Sequence, residues 1–253
     1  MTHERGTSDG LQATSNGNMP KYYPINLNIQ GKKCVIIGGG EVAYRKACSL
    51  KDAGAKVTVV CLKSCPELSK RTDITLIKKR YSEKDLDDTF LVIAATDDAE
   101  VNRNVFQDAS KKKILVNVVD CPELCSFIVP SSVIRGDLCI SISTGGASPA
   151  LAKRIREDLE KTYGQEYEQY LELLSKMRNA VMSKVKDPEK RRKILQRLAE
   201  SDVIELIKQH GTEKAEAEMR KKIGDISLHG MTSGSVVTDK DIEEAKDIWK
   251  KEW

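Results

Sequence analysis

Three glycines and one aspartate carry the chemistry that is easiest to read in this chain. Gly38, Gly39 and Gly40 close the apolar run Cys34-Val-Ile-Ile, and a helical pattern begins at once with Glu41, Val42 and Ala43. The spacing Gly38-x-Gly40-x-x-Ala43 is that of a dinucleotide-binding turn, with alanine in the third small position. Gly38 permits the tight strand-to-helix turn, and Gly40 lets backbone approach a pyrophosphate. Ala43 is small enough for the helix to pack closely on the sheet. The helix N-terminus then offers free N–H groups and the positive end of its dipole to the phosphates. Glycine-rich turns are common. This one is informative because it follows the first convincing strand and opens a helix.

In such a fold, ligands sit outside the carboxyl ends of the strands. Three segments are expected to converge there: Gly38–Gly40, Ala95-Thr96-Asp97-Asp98, and Asn117-Val-Val-Asp120. Gly38, Gly39, Gly40, Glu41, Val42, Ala95, Thr96 and Asp97 are therefore the cofactor-binding candidates, with Asp97 and Asp98 also suited to capping a helix. Asp120 ends its strand where a carboxylate would face the reactive end of a cofactor. The same residue type also suits the start of the turn Asp120-Cys-Pro-Glu, and position alone does not choose between the two. An acid for the adenosine ribose is expected at the end of the second strand, but Val60 and Cys61 stand there. Lys63 is the only cation read as near, so the position favours NAD without deciding it. The three histidines lie outside this region, which argues against histidine acid–base chemistry or metal ligation.

The elements that must position these residues are strands over 33–37, 56–61, 74–78, 90–95 and 114–119. Helices are expected over 42–53, around 82–87 and over 98–111. The apolar run over 90–95 suits a parallel strand covered on both faces. Strands alternating with helices imply a doubly wound, Rossmann-like parallel sheet of the α/β class. After Asp120 the pattern changes. Short strands are expected over 126–130, 132–135 and 138–143, the last pair joined at Gly136 in an antiparallel arrangement. Ser148 and Pro149 suit the N-cap and first turn of a helix. Further helices are expected over 165–186, 188–200, 202–209 and 212–223, with Tyr167, Tyr170, Leu171 and Leu174 as a core-facing stripe. The organisation expected is a disordered leader over 1–21, a Rossmann domain over 22–125 and a dimerisation segment over 126–162. A helical domain over 163–224 and a tail over 225–253 follow.

The 253 residues are 40% apolar and 32% charged, with a formal net charge of +4. So small an excess argues against a nucleic-acid binder, and no run reaches the ~18 apolar residues needed to span a bilayer. The polar N-terminus has no apolar signal core, so a cytoplasmic protein with free thiols is expected from the seven cysteines. Cys61-x-x-x-Cys65 and Cys121-x-x-x-Cys125 lack the Cys-x-x-Cys spacing of a zinc knuckle, and no metal site is assigned.

Assembled in order, these segments closely resemble the siroheme synthase N-terminal family. The matching residues are Tyr23-Pro-Ile-Asn-Leu, Val35-Ile-Ile-Gly-Gly-Gly-Glu-Val-Ala-x-Arg-Lys46, Ala94-Ala-Thr-Asp-Asp98 with Asn102, and Asn117-Val-Val-Asp120. Further on come Ser126-Phe-Ile-Val-Pro130 and Ser143-Thr-Gly-Gly-Ala-Ser-Pro-Ala-Leu-Ala152. The resemblance implies a stand-alone, NAD-dependent precorrin-2 dehydrogenase producing sirohydrochlorin. In bifunctional members Fe²⁺ insertion follows; dehydrogenase-only and bifunctional versions both stay open. It implicates Asp120 in both steps and places a substrate-side loop at Thr144, Gly145, Gly146 and Ser148. That loop also reads as a helix-capping turn. Thr144 matches a position where some members carry a phosphorylatable serine. Lys153, Arg154 and Arg156 either attract a polyanionic substrate or form a solvated helix face. The resemblance further implies a homodimer formed through the antiparallel segment. The competing reading is a regulatory module that senses NAD(H) without turnover.

Overall fold

A computed structural model describes residues 22–199 and 203–228. The leader over 1–21 and the part of the expected tail from residue 229 onward lie outside the described residues. The chain divides into two compact units. One is drawn from the residues up to Val129 together with Gly145–Ala147, and the other from Pro130–Thr144 and the chain from Ser148 onward.

The first unit is built on five parallel strands: β1 (Lys33–Ile37), β2 (Lys56–Cys61), β3 (Thr75–Lys78), β4 (Leu91–Ala94) and β5 (Leu115–Val118). Their order in the sheet is β3-β2-β1-β4-β5. The chain leaves β1 through α1 (Glu41–Asp52) toward β2, and leaves β4 through α3 (Ala99–Lys111) toward β5. Parallel crossovers of one hand in opposite directions put these helices on opposite faces. Alternate strand residues therefore feed two cores. Cys34, Ile36, Val57, Val59 and Ile93 pack with Ala43 and Ala47 of α1. Val35, Ile37, Val60, Val92 and Val116 pack with Val105 and Ala109 of α3. Burial on both faces is why these strands read as continuous apolar runs. α2 (Pro66–Ser69) follows β2, and the helix expected around 82–87 is a single 3₁₀ turn, Glu83–Leu86, closed by a Ser82–Asp85 capping box.

The strand expected over 126–130 does not form. Ser126 takes the place of a ladder partner beside β5: its N–H donates to the Val116 carbonyl at 2.8 Å, and its hydroxyl accepts from the Val116 N–H at 2.8 Å. A side chain thus completes the pairing, and no continuous strand is needed.

The second unit opens with an antiparallel hairpin, β6 (Ser131–Arg135) and β7 (Leu138–Ile142), in which Arg135 lies opposite Leu138. Gly136 supplies the positive φ of the turn, and a Cβ there would stand 2.8 Å from Glu168 Cγ. Among the described residues five helices follow: α4 (Pro149–Thr162), α5 (Glu166–Lys184), α6 (Pro188–Ala199), α7 (Val203–His210) and α8 (Thr212–Leu228). The stripe that α5 buries is Tyr170, Leu173, Met177 and Val181, with Leu174 packed at its side. Tyr167 instead faces Tyr163, with ring centroids 5.0 Å apart, and Leu171 is half-buried outside this core. Buried Arg191 donates from its guanidinium to the carbonyls of Val185 and Lys186, satisfying backbone at the end of α5.

Candidate functional site

The strand order reverses between β1 and β4, the chain winding outward in opposite directions from that pair, and a doubly wound sheet binds its ligand at that switch point. The glycine turn stands there. Gly38 has φ +129°, and a Cβ on it would lie 2.1 Å from the Ala95 carbonyl oxygen. A Cβ on Gly39 would meet the Lys63 carbonyl oxygen at 2.0 Å and Cys61 Sγ at 2.8 Å. Gly40 differs: nothing lies within 4 Å of where its Cβ would be. Two glycines wedge the turn between the ends of β4 and β2, and the third leaves a backbone surface open. Gly40 caps α1 without a side-chain hydrogen bond, so the first N–H groups of this 12-residue helix have no side-chain cap. Ala43 is fully buried, the close packing that its place in the motif calls for. This turn fits a dinucleotide pyrophosphate. Glu41 is exposed in the first turn of α1, and Val42 is half-buried.

The end of β4 is held by a local polar network. The Thr96 hydroxyl lies 2.7 Å from Asn102 Oδ1, and Asn102 Nδ2 donates to the Thr96 carbonyl at 2.9 Å. Asp98 caps α3, accepting from the N–H groups of Glu100 and Val101 at 2.9 and 3.1 Å. Asp97, expected to share that capping, is exposed and makes no cap bond. One carboxylate satisfies the helix end and leaves its neighbour free.

Asp120 follows β5, exposed, with φ +59°. Its carboxylate has no hydrogen-bond or ion-pair partner among the described residues. The backbone around it is fixed: the Val119 N–H donates to the Ala94 carbonyl at 2.9 Å, and the Cys121 N–H donates to the Val118 carbonyl at 3.3 Å. Asn117 is buried, and its Nδ2 donates to the Phe127 carbonyl at 3.0 Å. The Val118 N–H donates to Cys125 Sγ at 3.2 Å. Burial pushes the Cys125 thiol up, while burial and then the Glu123 carboxylate push Cys121 up to about 11. Both sulfurs therefore stay protonated near neutral pH. Gly38–Gly40, Ala95–Asp97 and Asp120 thus share one edge of the first unit.

Thr144 and Ser148 form a turn of their own. The Thr144 hydroxyl donates to the Ser148 carbonyl and accepts from its N–H, each at 3.1 Å. Ser148 Oγ caps α4, accepting from the Leu151 N–H at 3.2 Å. Gly145 and Gly146, with φ +62° and +91°, carry the bend between them and group with the first unit. Lys153 pairs with Glu157 at 3.8 Å, and Arg156 pairs with Glu157 and Glu160, so these two cations face carboxylates of their own helix.

Sequence reasoning missed two residues. The register sets Cys61 directly against Lys78, and the Lys79 N–H donates to the Cys61 carbonyl at 3.0 Å. Lys63 is therefore not the only cation near the end of β2: Lys78 lies across from it, and Arg80 follows two residues on. A lysine ending the third strand and an arginine just after it were the available signal, and its meaning depended on the pairing.

Fold and site define the class: a doubly wound α/β protein with a dinucleotide cradle at its switch point. Residues 25–131 match a family described as NAD(P)-binding. Residues 135–162 match the sirohaem biosynthesis protein central region, and 166–223 the sirohaem synthase dimerisation region. The siroheme synthase of Thioalkalivibrio sulfidiphilus is 37% identical over 219 residues, 85% of this chain and 45% of the relative. That of Methylococcus capsulatus is 40% identical over 198 residues, covering 77% and 42%. The chain spans less than half the length of these curated relatives. A solved structure titled "SirC, precorrin-2 dehydrogenase" superposes with a TM-score of 0.63 at 27% identity, covering 82% of this chain and 100% of that one. The chain belongs to the siroheme synthase N-terminal family.

Proposed function

We propose that this protein is an NAD-dependent precorrin-2 dehydrogenase of siroheme biosynthesis. The observation that carries the reading is the Asp120 carboxylate: exposed, unpaired among the described residues, and on the sheet edge that holds the glycine turn. Two strand spacings, roughly 10 Å, separate the ends of β1 and β5. Gly38, Gly39 and Gly40, with the first N–H groups of α1, hold the pyrophosphate. Ala95, Thr96 and Asp97 border the cradle. Bound NAD supplies the hydride acceptor. Precorrin-2 loses two hydrogens in becoming sirohydrochlorin, one as that hydride and one as a proton, and Asp120 takes the proton. Thr144, Gly145, Gly146 and Ser148 are the candidates that the family resemblance offers for one of the carboxylates of precorrin-2.

We read the protein as a homodimer. The dimerisation description falls on residues 166–223, downstream of the 126–162 segment for which dimer contacts were expected. Ile134, Leu151 and Ile155 of the second unit are exposed apolar side chains that a second copy would cover. Seven free thiols fit a reducing, cytoplasmic setting. Among the described residues no helix is long and apolar enough to cross a membrane.

The test is incubation of the purified chain with precorrin-2 and NAD⁺, followed by absorbance for NADH and sirohydrochlorin. Asp120→Asn is expected to bind NAD⁺ normally and to form no product. Binding of both ligands without NADH in the unaltered chain would favour the sensor reading. Adding Fe²⁺ as substrate in a second stage, and following metallation above the spontaneous rate, separates the dehydrogenase-only from the bifunctional version.

A further inference from the structure

Resting on the reading of Asp120 as the proton acceptor, we infer that Cys125 is its positioning residue: the thiol ties together the peptide groups on either side of the Asp120 bend and so fixes where the carboxylate stands. The need for such a tie arises from the sheet. β5 is the last strand in the order β3-β2-β1-β4-β5, so among the described residues it has a strand neighbour on one side alone. The Val119 N–H reaches across to the Ala94 carbonyl at the end of β4, whereas the N–H groups of Val116 and Val118 bond to residues beyond the open edge. Backbone groups left unmet there would be costly.

The side chains of residues 125 and 126 take the place of a sixth strand. Ser126 serves Val116, and Cys125 serves both groups of Val118. Its Sγ accepts from the Val118 N–H at 3.2 Å and lies 3.2 Å from the Val118 carbonyl oxygen. The same sulfur stands 3.3 Å from the Cys121 carbonyl oxygen and 3.5 Å from Asn117 Nδ2. Val118 and Cys121 flank the pair Val119–Asp120, and the Cys121 N–H already closes on the Val118 carbonyl. One thiol therefore holds both ends of the bend. The Cys-x-x-x-Cys spacing that does not suit a zinc knuckle suits this task, because a single 3₁₀ turn, Pro122–Leu124, carries the chain from Cys121 back to Cys125.

The bend is one that must be held. Asp120 has φ +59°, a region that residues other than glycine enter at a cost. Its exposed carboxylate has no partner among the described residues, so its place depends on the backbone beneath it. Burial pushes the Cys125 thiol up, against the opposing pull of the Val118 N–H, and the sulfur keeps its proton as a donor near neutral pH. Cys121 differs: its thiol donates to Glu123 Oε1 at 3.1 Å and does not span the bend.

Three substitutions test the assignment in the full chain. Cys125→Ala removes the sulfur, Cys125→Val fills its space without donor or acceptor, and Cys125→Ser keeps one of each. Each is measured for NAD⁺ affinity, for kcat and KM with precorrin-2, and for hydrogen exchange at the Val118 amide. The alanine and valine variants are expected to lower kcat about tenfold to a hundredfold through a displaced carboxylate and to lose protection at Val118. Their NAD⁺ affinity and KM should stay within about twofold of the unaltered chain. Cys125→Ser should keep kcat within about threefold, and keep the protection, because the hydroxyl still donates and accepts. A role in folding alone would lower stability in urea and leave kcat per folded chain unchanged, and that result overturns the inference. So does any variant that keeps one of Val118 protection and kcat while losing the other, and one folded variant suffices to show it. Asp120→Asn separates this inference from the reading beneath it. Parental turnover in that variant overturns both, whereas an inactive Asp120→Asn beside a fully active Cys125→Ala overturns the role of Cys125 alone.

Discussion

Gly38 and Ala95 stand so close that a Cβ on the glycine would lie 2.1 Å from the alanine's carbonyl oxygen. The contact joins β1 to β4 where the strand order reverses, and Gly38 also holds φ +129°. Gly38→Ala therefore meets rigid backbone and a forbidden dihedral together, at about 3 kcal/mol of stability. Gly40→Ala meets neither, because its φ is −80° and its Cβ position is open. It should fold normally, within about 1 kcal/mol of the parent, yet lose NAD⁺ affinity, since the added methyl stands where the pyrophosphate must approach. Urea unfolding and NAD⁺ titration of both variants separate a glycine needed for the fold from one needed for the ligand.

Asp120 departs from ordinary backbone in a different way. Its φ of +59° is a region that Asp tolerates and β-branched residues resist. Asp120→Gly should unfold within about 1 kcal/mol of the parent, because relief of strain offsets the greater freedom of glycine in the unfolded chain. Asp120→Val should lose about 1–2 kcal/mol. Neither should form NADH from precorrin-2. Equal loss of stability in the two would show that the conformation carries no cost.

Much of the sheet was legible because burial on both faces writes itself as uninterrupted apolar residues: Val92, Ile93 and Ala94 sit between two cores and have no polar neighbour in the strand. The glycine turn was legible for a related reason, since its cause is local. What failed depended on distant partners. The stripe on α5 was placed on Tyr167, Tyr170, Leu171 and Leu174; Tyr170 is buried and Leu174 packs at the side of the core, but the rest of the buried set is Leu173, Met177 and Val181. Two apolar diagonals run along that helix, and the helices packed against it choose one. Ser126 resembled a strand residue because it does pair with β5, partly through its hydroxyl. Lys78 was invisible as a neighbour of Cys61 because register is a property of two strands.

Tyr170 ties α5 to the end of α6: its hydroxyl lies 3.0 Å from the Leu198 carbonyl and 3.1 Å from that of Ala199. These are carbonyls in the last turn of α6, where helical partners run out. Tyr170→Phe keeps the ring in the core and removes the donor, so it should cost about 1–2 kcal/mol. The loss should appear in the unfolding of the second unit while NAD⁺ affinity is unchanged. Hydrogen exchange over α5 and α6 is the direct readout, and loss of protection confined to the first unit would contradict the assignment.

Cys34 is fully buried in β1, and burial alone raises its thiol to about 11 from an ordinary value of 9.0. Below pH 9 the thiol is neutral in both folded and unfolded chains, so its ionisation has no effect on stability. Between pH 9 and 11 the unfolded chain releases this proton and the folded chain keeps it. The folded state then binds more protons, and stability falls as pH rises through that window. Two units correspond to about 2–3 kcal/mol at most. Cys34→Ala removes this ionisation at the cost of a small cavity. The variant should start less stable at pH 7 and show a shallower decline between pH 9 and 11 than the parent. Urea unfolding at matched pH values gives both slopes. Parallel curves would place the alkaline loss elsewhere, and Cys121, raised by burial and by Glu123 to the same value, would be the next thiol to replace.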